Sequence, residues 1–310
     1  MTRRLHEPQN GSTLHIHVAS DLSALTFLVD EEEMGVINSP RLLWECSCHT
    51  SEGGRSPSNG PCAVHSLPAA DTIGSLFGKG TWIHFRGVAI RWDGRAGWPP
   101  SIDSLFFVKE LLDHGWPGPT EHLWDVGAGT GFVGMQLANA HTGVVRLTGI
   151  EASASAANVC ERNYHRLPVC AGRSAEVLCG RAEEILPDRL KPNDAIVSNP
   201  PYMPCPPWES RAENRPNPAM GTGMLQRLIR LASETEARLA LEYSSLAQAD
   251  VDRALAEGDG LSIDLLAERR VPLRLSLSPR YAEWLVSERG LIIDETDVFA
   301  HQHVIRVITL

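Results

Sequence analysis

The chain is short of positive charge. It has 28 basic residues against 38 acidic ones, a formal net charge of -10. That balance disfavours a protein whose main task is gripping a phosphate backbone, because such a protein needs a basic face. Long apolar runs are also missing: none reaches the roughly 18–20 residues that a membrane helix needs. Two arginines near the start have no apolar stretch behind them, so no secretory signal is visible. These absences lead us to expect a soluble, cytoplasmic protein with no membrane partner. No repeat of fixed period occurs. The seven cysteines (Cys46, Cys48, Cys62, Cys160, Cys170, Cys179 and Cys205) are odd in number and unevenly spread. That pattern is unlike a disulfide framework, and reduced thiols are expected.

What is present suffices for a core. Hydrophobic residues make up 43% of 310, which excludes wholesale disorder and suggests one large or two modest domains. Residues 1–80 read as a β- and loop-rich accessory region over the substrate side. Leu14, Ile16 and Val18 alternate as in a strand, and residues 50–61 form a loop rich in Gly, Ser and Pro. Residues 81–93 read as two β-like runs turning near Gly87. A helix is predicted from Ser101 or Asp103 to a stop at Gly115. From about residue 120 strands alternate with helices, the pattern of a mostly parallel sheet covered on both faces. The fold expected is therefore α/β and Rossmann-like, with the main domain over 81–310.

Two motifs carry chemistry. The first is Asp125-Val-Gly127-Ala-Gly129-Thr130-Gly131, after an apolar strand and before a helix. Glycines let the backbone turn sharply and let a ligand come close, and the helix start offers free N–H groups. Glu151 ends the next strand, placed to reach the two hydroxyls of an adenosine ribose. The spacing is neither the dinucleotide G-x-G-x-x-G nor a phosphate loop, since no Lys-Ser/Thr pair follows. An adenosine ligand without a pyrophosphate suits S-adenosylmethionine.

The second motif is Asn199-Pro200-Pro201-Tyr202, at the end of a strand. An amide oxygen on Asn199 and the Pro200 carbonyl can accept hydrogen bonds from the two N–H groups of a planar nitrogen. Two prolines hold that carbonyl still, and Tyr202 can stack on the planar group.

Residues 120–202 resemble the core of class I S-adenosylmethionine-dependent methyltransferases. The NPPY motif is similar to that of their nitrogen-directed members: adenine-N6 enzymes of DNA, guanine-N2 enzymes of ribosomal RNA and the release-factor glutamine methyltransferases. Residues 81–104 and 216–231 resemble the glutamine type most. The resemblance implies S-adenosylmethionine as cofactor and catalytic roles for Asn199, Pro200 and Tyr202. It also implies a cofactor site of Asp125, Gly127, Gly129, Thr130, Gly131, Glu151, Arg181, Ala182 and Asn199. Near the adenine the acid common in the family is replaced by Arg181, which leaves Glu183 or a backbone N–H for that contact. The family's amino-terminal helical bundle has no counterpart in residues 1–80, and the loop after NPPY, with Trp208, is unusual. Asp103 and Trp208 are candidates for the substrate side, and Trp98 with Asp103 is placed to line the mouth of the cofactor loop.

Weaker features remain. Cys46, Cys48, His49, Cys62 and His65 fall within twenty residues, a candidate zinc cluster without a standard finger spacing; reduced thiols and surface histidines outweigh it. His15 with His17, and His301 with His303, alternate on strand-like runs, where solvated or core histidines are the favoured reading. The function expected is N-methylation of an amide or amine in a small molecule, peptide or protein. A base amine in nucleic acid and a non-catalytic adenosine-binding module are the alternatives. The oligomeric state is open.

Overall fold

The computed structural model describes residues 12–37, 80–94, 100–167, 173–208, 221–258, 262–273, 278–293 and 301–310. Two sheets carry the fold. The first contains β1 (Leu14–Val18), β2 (Leu25–Val29), β3 (Glu32–Ile37), β4 (Thr81–Phe85) and β5 (Val88–Trp92). Its spatial order is β3-β2-β1-β4-β5. β1 and β4 run parallel, while the remaining neighbours are antiparallel. Leu14, Ile16 and Val18 alternate inward as predicted, matched by Ile83 and Phe85 on β4. Side chains on a strand point to opposite faces in turn, so this sheet has one buried face.

The predicted hairpin at 81–93 is present, but its β4 pairs with β1. A boundary drawn at residue 80 therefore falls between two hydrogen-bonded strands, and the first sheet ends at Trp92.

The second sheet contains β6 (His122–Val126), β7 (Arg146–Glu151), β8 (Ser174–Cys179), β9 (Ala195–Ser198), β10 (Arg238–Ser244), β11 (Asp264–Pro272), β12 (Ile292–Ile293) and β13 (His301–Thr309). The order is β11-β13-β10-β9-β6-β7-β8, with β12 paired to β13. From β10 to β8 every pair is parallel. β13 lies between β10 and β11, antiparallel to both. All five residues of β6 are buried, as expected of a parallel strand covered on both faces.

The helices are α1 (Ile102–Asp113), α2 (Phe132–Ala140), α3 (Ala154–Tyr164), α4 (Ala182–Ile185), α5 (Gly223–Thr235), α6 (Gln248–Ala256) and α7 (Pro279–Arg289). α1 starts where the sequence places it: the Ser101 hydroxyl accepts from the Ser104 N–H, capping one of the unpaired donors of the first turn. Gly115, at φ 70°, ends it in the left-handed conformation that glycine adopts without strain.

The two sheets share one core. Phe27, Ile83 and Phe85 from the first pack in the same cluster as Phe107 of α1, Leu123 of β6 and Phe132 of α2. Polar clamps fix the dock. The Gln136 amide donates to the Phe85 carbonyl at 2.9 Å. The fully buried Asn163 amide donates to the carbonyls of Arg91 and Thr130 and accepts from the Arg91 N–H. A single side chain thus ties β5 to the glycine loop.

Candidate active site

β6 is the strand at which the parallel order reverses, with β9 on one side and β7 on the other. In open α/β sheets the crevice for ligands lies beyond the carboxyl ends of the strands at such a point. Both sequence motifs emerge there. The glycine loop follows β6, and Asn199 follows β9. The Ser198 hydroxyl donates to the Val126 carbonyl at 2.7 Å, joining the two strand ends.

The loop's shape needs its glycines. Gly127 has φ 70°, and a Cβ built on it would meet nothing within 4 Å. Space is open on that side of the loop, where a ligand can approach the backbone. Gly131 is the opposite case. At φ 79° its Cβ would lie 2.6 Å from the Tyr164 ring and 2.9 Å from the Cys160 sulfur, so the loop is pressed against α3.

Asp125 lies beneath the loop and not on its open side. It is buried, and its carboxylate accepts from the Gly134 N–H and the Tyr164 hydroxyl, each at 3.0 Å. Burial pushes its pKa up to about 7, offset in part by those two hydrogen bonds. Thr130 is buried and offers its carbonyl to Asn163. Both residues therefore brace the cradle from below.

Glu151, at the end of β7, faces the loop. One carboxylate oxygen accepts from the Gly129 N–H at 2.9 Å, the other from the Ser153 N–H at 2.9 Å. A carboxylate has about four acceptor positions, so these bonds hold Glu151 in place and leave it capacity for two ribose hydroxyls. A half-buried acid fixed at a glycine loop with open space beside it fits an adenosyl ligand. Ala182 opens α4 and is buried. Arg181 is exposed, and its guanidinium pairs with Glu183 and Glu184.

Asn199 has a partner that the sequence did not point to. Its amide nitrogen donates to Glu242 Oε1 at 2.8 Å. The pairing follows from register: Leu241 of β10 stands opposite Ser198 of β9, which brings the next residues alongside each other. With its nitrogen held, Asn199 has its amide oxygen turned away from Glu242 and free to accept. Glu242 is fully buried. Burial, reinforced by the charge of Asp103, raises its pKa well above the usual carboxylate range. Its other oxygen, Oε2, has no hydrogen-bond partner among the described residues. A lone acid inside the apolar run of β10 is the sequence signal that could have found it.

Tyr202 and Asp103 do meet: the tyrosine hydroxyl donates to Asp103 Oδ2 at 3.2 Å. Asp103 sits in the first turn of α1, so α1 orients the tyrosine. His303 lies against the Tyr202 ring at 6.1 Å between centroids and bonds the Ser244 hydroxyl at 2.7 Å. Pro200 is buried. Trp208 is 41% exposed, with the Arg280 guanidinium 4.1 Å above its ring and Trp284 edge-on. Trp98, Cys46, Cys48, His49, Cys62 and His65 lie outside the described residues.

Residues 112–198 match a family described as the precorrin methyltransferase domain. A 4-amino-L-phenylalanine/4-methylamino-L-phenylalanine methyltransferase of Streptomyces pristinaespiralis is 31% identical over 102 residues, 33% of this chain and 32% of that protein. The aligned stretch thus spans about a third of the relative. Among solved structures, precorrin-6y C5,15-methyltransferase from Geobacter metallireducens is 16% identical, with a TM-score of 0.43 over 69% of this chain and 92% of that one. Magnesium protoporphyrin IX methyltransferase from Synechocystis PCC 6803, with bound S-adenosylmethionine, is 14% identical, with a TM-score of 0.39 over 66% and 77%. The fold assignment rests on the strand order described above. No helix among the described residues is long and apolar enough to cross a membrane.

Proposed function

We propose that the chain is a class I S-adenosylmethionine-dependent methyltransferase that methylates a planar nitrogen on a small molecule; the match of residues 112–198 to the precorrin methyltransferase domain supports the first part of that reading. The observation that carries this reading is the Asn199–Glu242 hydrogen bond at the mouth of the switch point. It presents an amide oxygen, backed by Pro200, to an N–H group.

When bound, S-adenosylmethionine supplies a methyl group activated by its sulfonium. Everything else falls to the chain. Gly127 leaves the space and Glu151 the acceptors that hold the adenosyl part. The Asn199 oxygen and the Pro200 carbonyl fix the two N–H directions of the acceptor, which aims its lone pair. Tyr202, tethered by Asp103, covers the planar group. Burial raises the pKa of Glu242 and favours its neutral form, which works against a buried negative charge facing the incoming amine. An amine attacks as the neutral base and loses its proton afterwards, so orientation is the chain's main contribution.

The relative's aryl-amine substrate supports the small-molecule amine over a peptide amide. A base amine in nucleic acid is disfavoured by the net charge of -10. The test is transfer of radiolabelled methyl groups to an aryl amine such as 4-aminophenylalanine, to glutamine peptides and to RNA. Asn199→Ala should lower turnover at least about 10²-fold, the cost of misplacing a reacting atom by about 1 Å, with cofactor affinity unchanged. Wild-type turnover in a variant that binds cofactor normally would move oxygen or carbon acceptors to the front.

A further inference from the structure

Far from this site in sequence, the outer face of the first sheet carries three imidazoles. His15 and His17 alternate on β1, and His84 stands opposite His17 on β4 through the parallel register. Their inward neighbours Ile16, Ile83 and Phe85 are buried, so the rings share the face away from the core. His15 Nδ1 and His84 Nε2 are 2.9 Å apart. The rings of His17 and His84 stack at 4.1 Å between centroids, 10° from parallel. One nitrogen from each of the three residues lies within 4.8 Å of the others.

We propose that His15, His17 and His84 form a binding site for a divalent first-row transition ion, zinc above all. Zn–N bonds of about 2.0–2.1 Å set roughly 3.3 Å between nitrogens at a tetrahedral centre. The His15 and His84 nitrogens are 2.9 Å apart and one nitrogen of each residue lies within 4.8 Å of the others, a range that includes that edge. The stacked His17 and His84 rings would have to turn for their lone pairs to meet at one ion. Two nitrogens 2.9 Å apart share one proton, and a metal in its place would satisfy both lone pairs along with that of His17. Imidazole suits zinc, copper and nickel better than magnesium or calcium.

Support comes from both sides of the cluster. Trp82 stacks on His15, 12° from parallel, and limits its tilt. Asp30 and Glu31, on the β2–β3 turn, place acidic groups near His15. Three ligands leave a fourth position for water. The ion would pin β1 to β4 and so close the 69-residue separation between His15 and His84, the kind of long loop whose closure a metal clip stabilises.

The experiment uses the full chain, stripped with chelator and titrated with Zn2+ alone by calorimetry and with Co2+ by visible absorption. The variants are His17→Ala, which alters the most exposed ligand, His84→Gln, and a Cys46→Ser/Cys48→Ser/Cys62→Ser triple. We expect one Zn2+ per chain in the wild type and in the cysteine triple. Each histidine variant should bind at least 10-fold more weakly, since even outer-sphere losses cost 10–100-fold. Zinc should raise the melting temperature of the wild type and the triple, and not that of the histidine variants. S-adenosylmethionine affinity, unchanged throughout, certifies that the variants fold. Histidine variants that bind as tightly as the wild type, loss of binding in the cysteine triple, or no binding at all would each overturn the proposal.

Discussion

Glu242→Gln is the substitution that tests the site's central claim, that a buried acid with a raised pKa holds Asn199. Glu242 is fully buried, and burial together with the Asp103 charge raises its pKa well above the usual value. In the unfolded chain the same group ionises near pH 4.5. Between that pH and the raised pKa the folded state therefore binds a proton that the unfolded state has lost. The stabilisation is complete below about pH 4.5 and falls as pH rises, by about 1.4 kcal/mol per unit. Glutamine cannot titrate, yet its amide oxygen can still accept from the Asn199 amide. Relative to wild type, the variant should gain unfolding free energy as pH rises from the unfolded value toward the raised folded pKa. Urea denaturation of both proteins at pH 5, 6 and 7 measures this, and other titrating groups cancel in the difference. Turnover of the variant should stay within about threefold of wild type, because the position of Asn199 is kept. Glu242→Ala removes the acceptor, strands the Asn199 donor at about 1–3 kcal/mol, and should lower turnover at least tenfold. A flat difference between pH 5 and 7 would mean that Glu242 is ionised in the folded protein. A fully active alanine variant would break its link to Asn199.

Three further outcomes follow from the geometry. Glu151→Ala should weaken S-adenosylmethionine and S-adenosylhomocysteine by roughly 1.5–3 kcal/mol in calorimetry, the scale of hydrogen bonds to a charged group. Gly131→Ala should destabilise the fold by about 1–3 kcal/mol or more in thermal unfolding, because the new Cβ meets the Tyr164 ring at 2.6 Å in a left-handed backbone; unchanged stability would show that α3 yields freely. Asp125→Asn keeps an oxygen for Gly134 and Tyr164. With the wild-type pKa near 7, stability is complete below about pH 4 and declines as pH rises to 7. The variant should lose that share of the decline, and parallel melting curves across this range would count against a buried acid.

Part of this protein was determined by its sequence alone. The glycine loop, Glu151 and the NPPY segment are legible because each needs its residues adjacent in the chain: a tight turn, a strand end, a rigid carbonyl. Ser101 and Gly115 mark the ends of α1 for the same local reason. The alternation at Leu14, Ile16 and Val18 likewise predicts a strand with one buried face. Only the tertiary structure decided which strands are neighbours. Alternation says which face of a strand is buried but not what lies beside it. Hence the hairpin at 81–92 joined the first sheet, and β13 entered antiparallel between β10 and β11. The same long-range pairing made Glu242 the partner of Asn199 across 43 residues. It also set His84 beside His15 across 69. The cost of closing such separations is met by the apolar faces that two whole sheets bury together, a property of the assembled core that no short stretch of the chain contains.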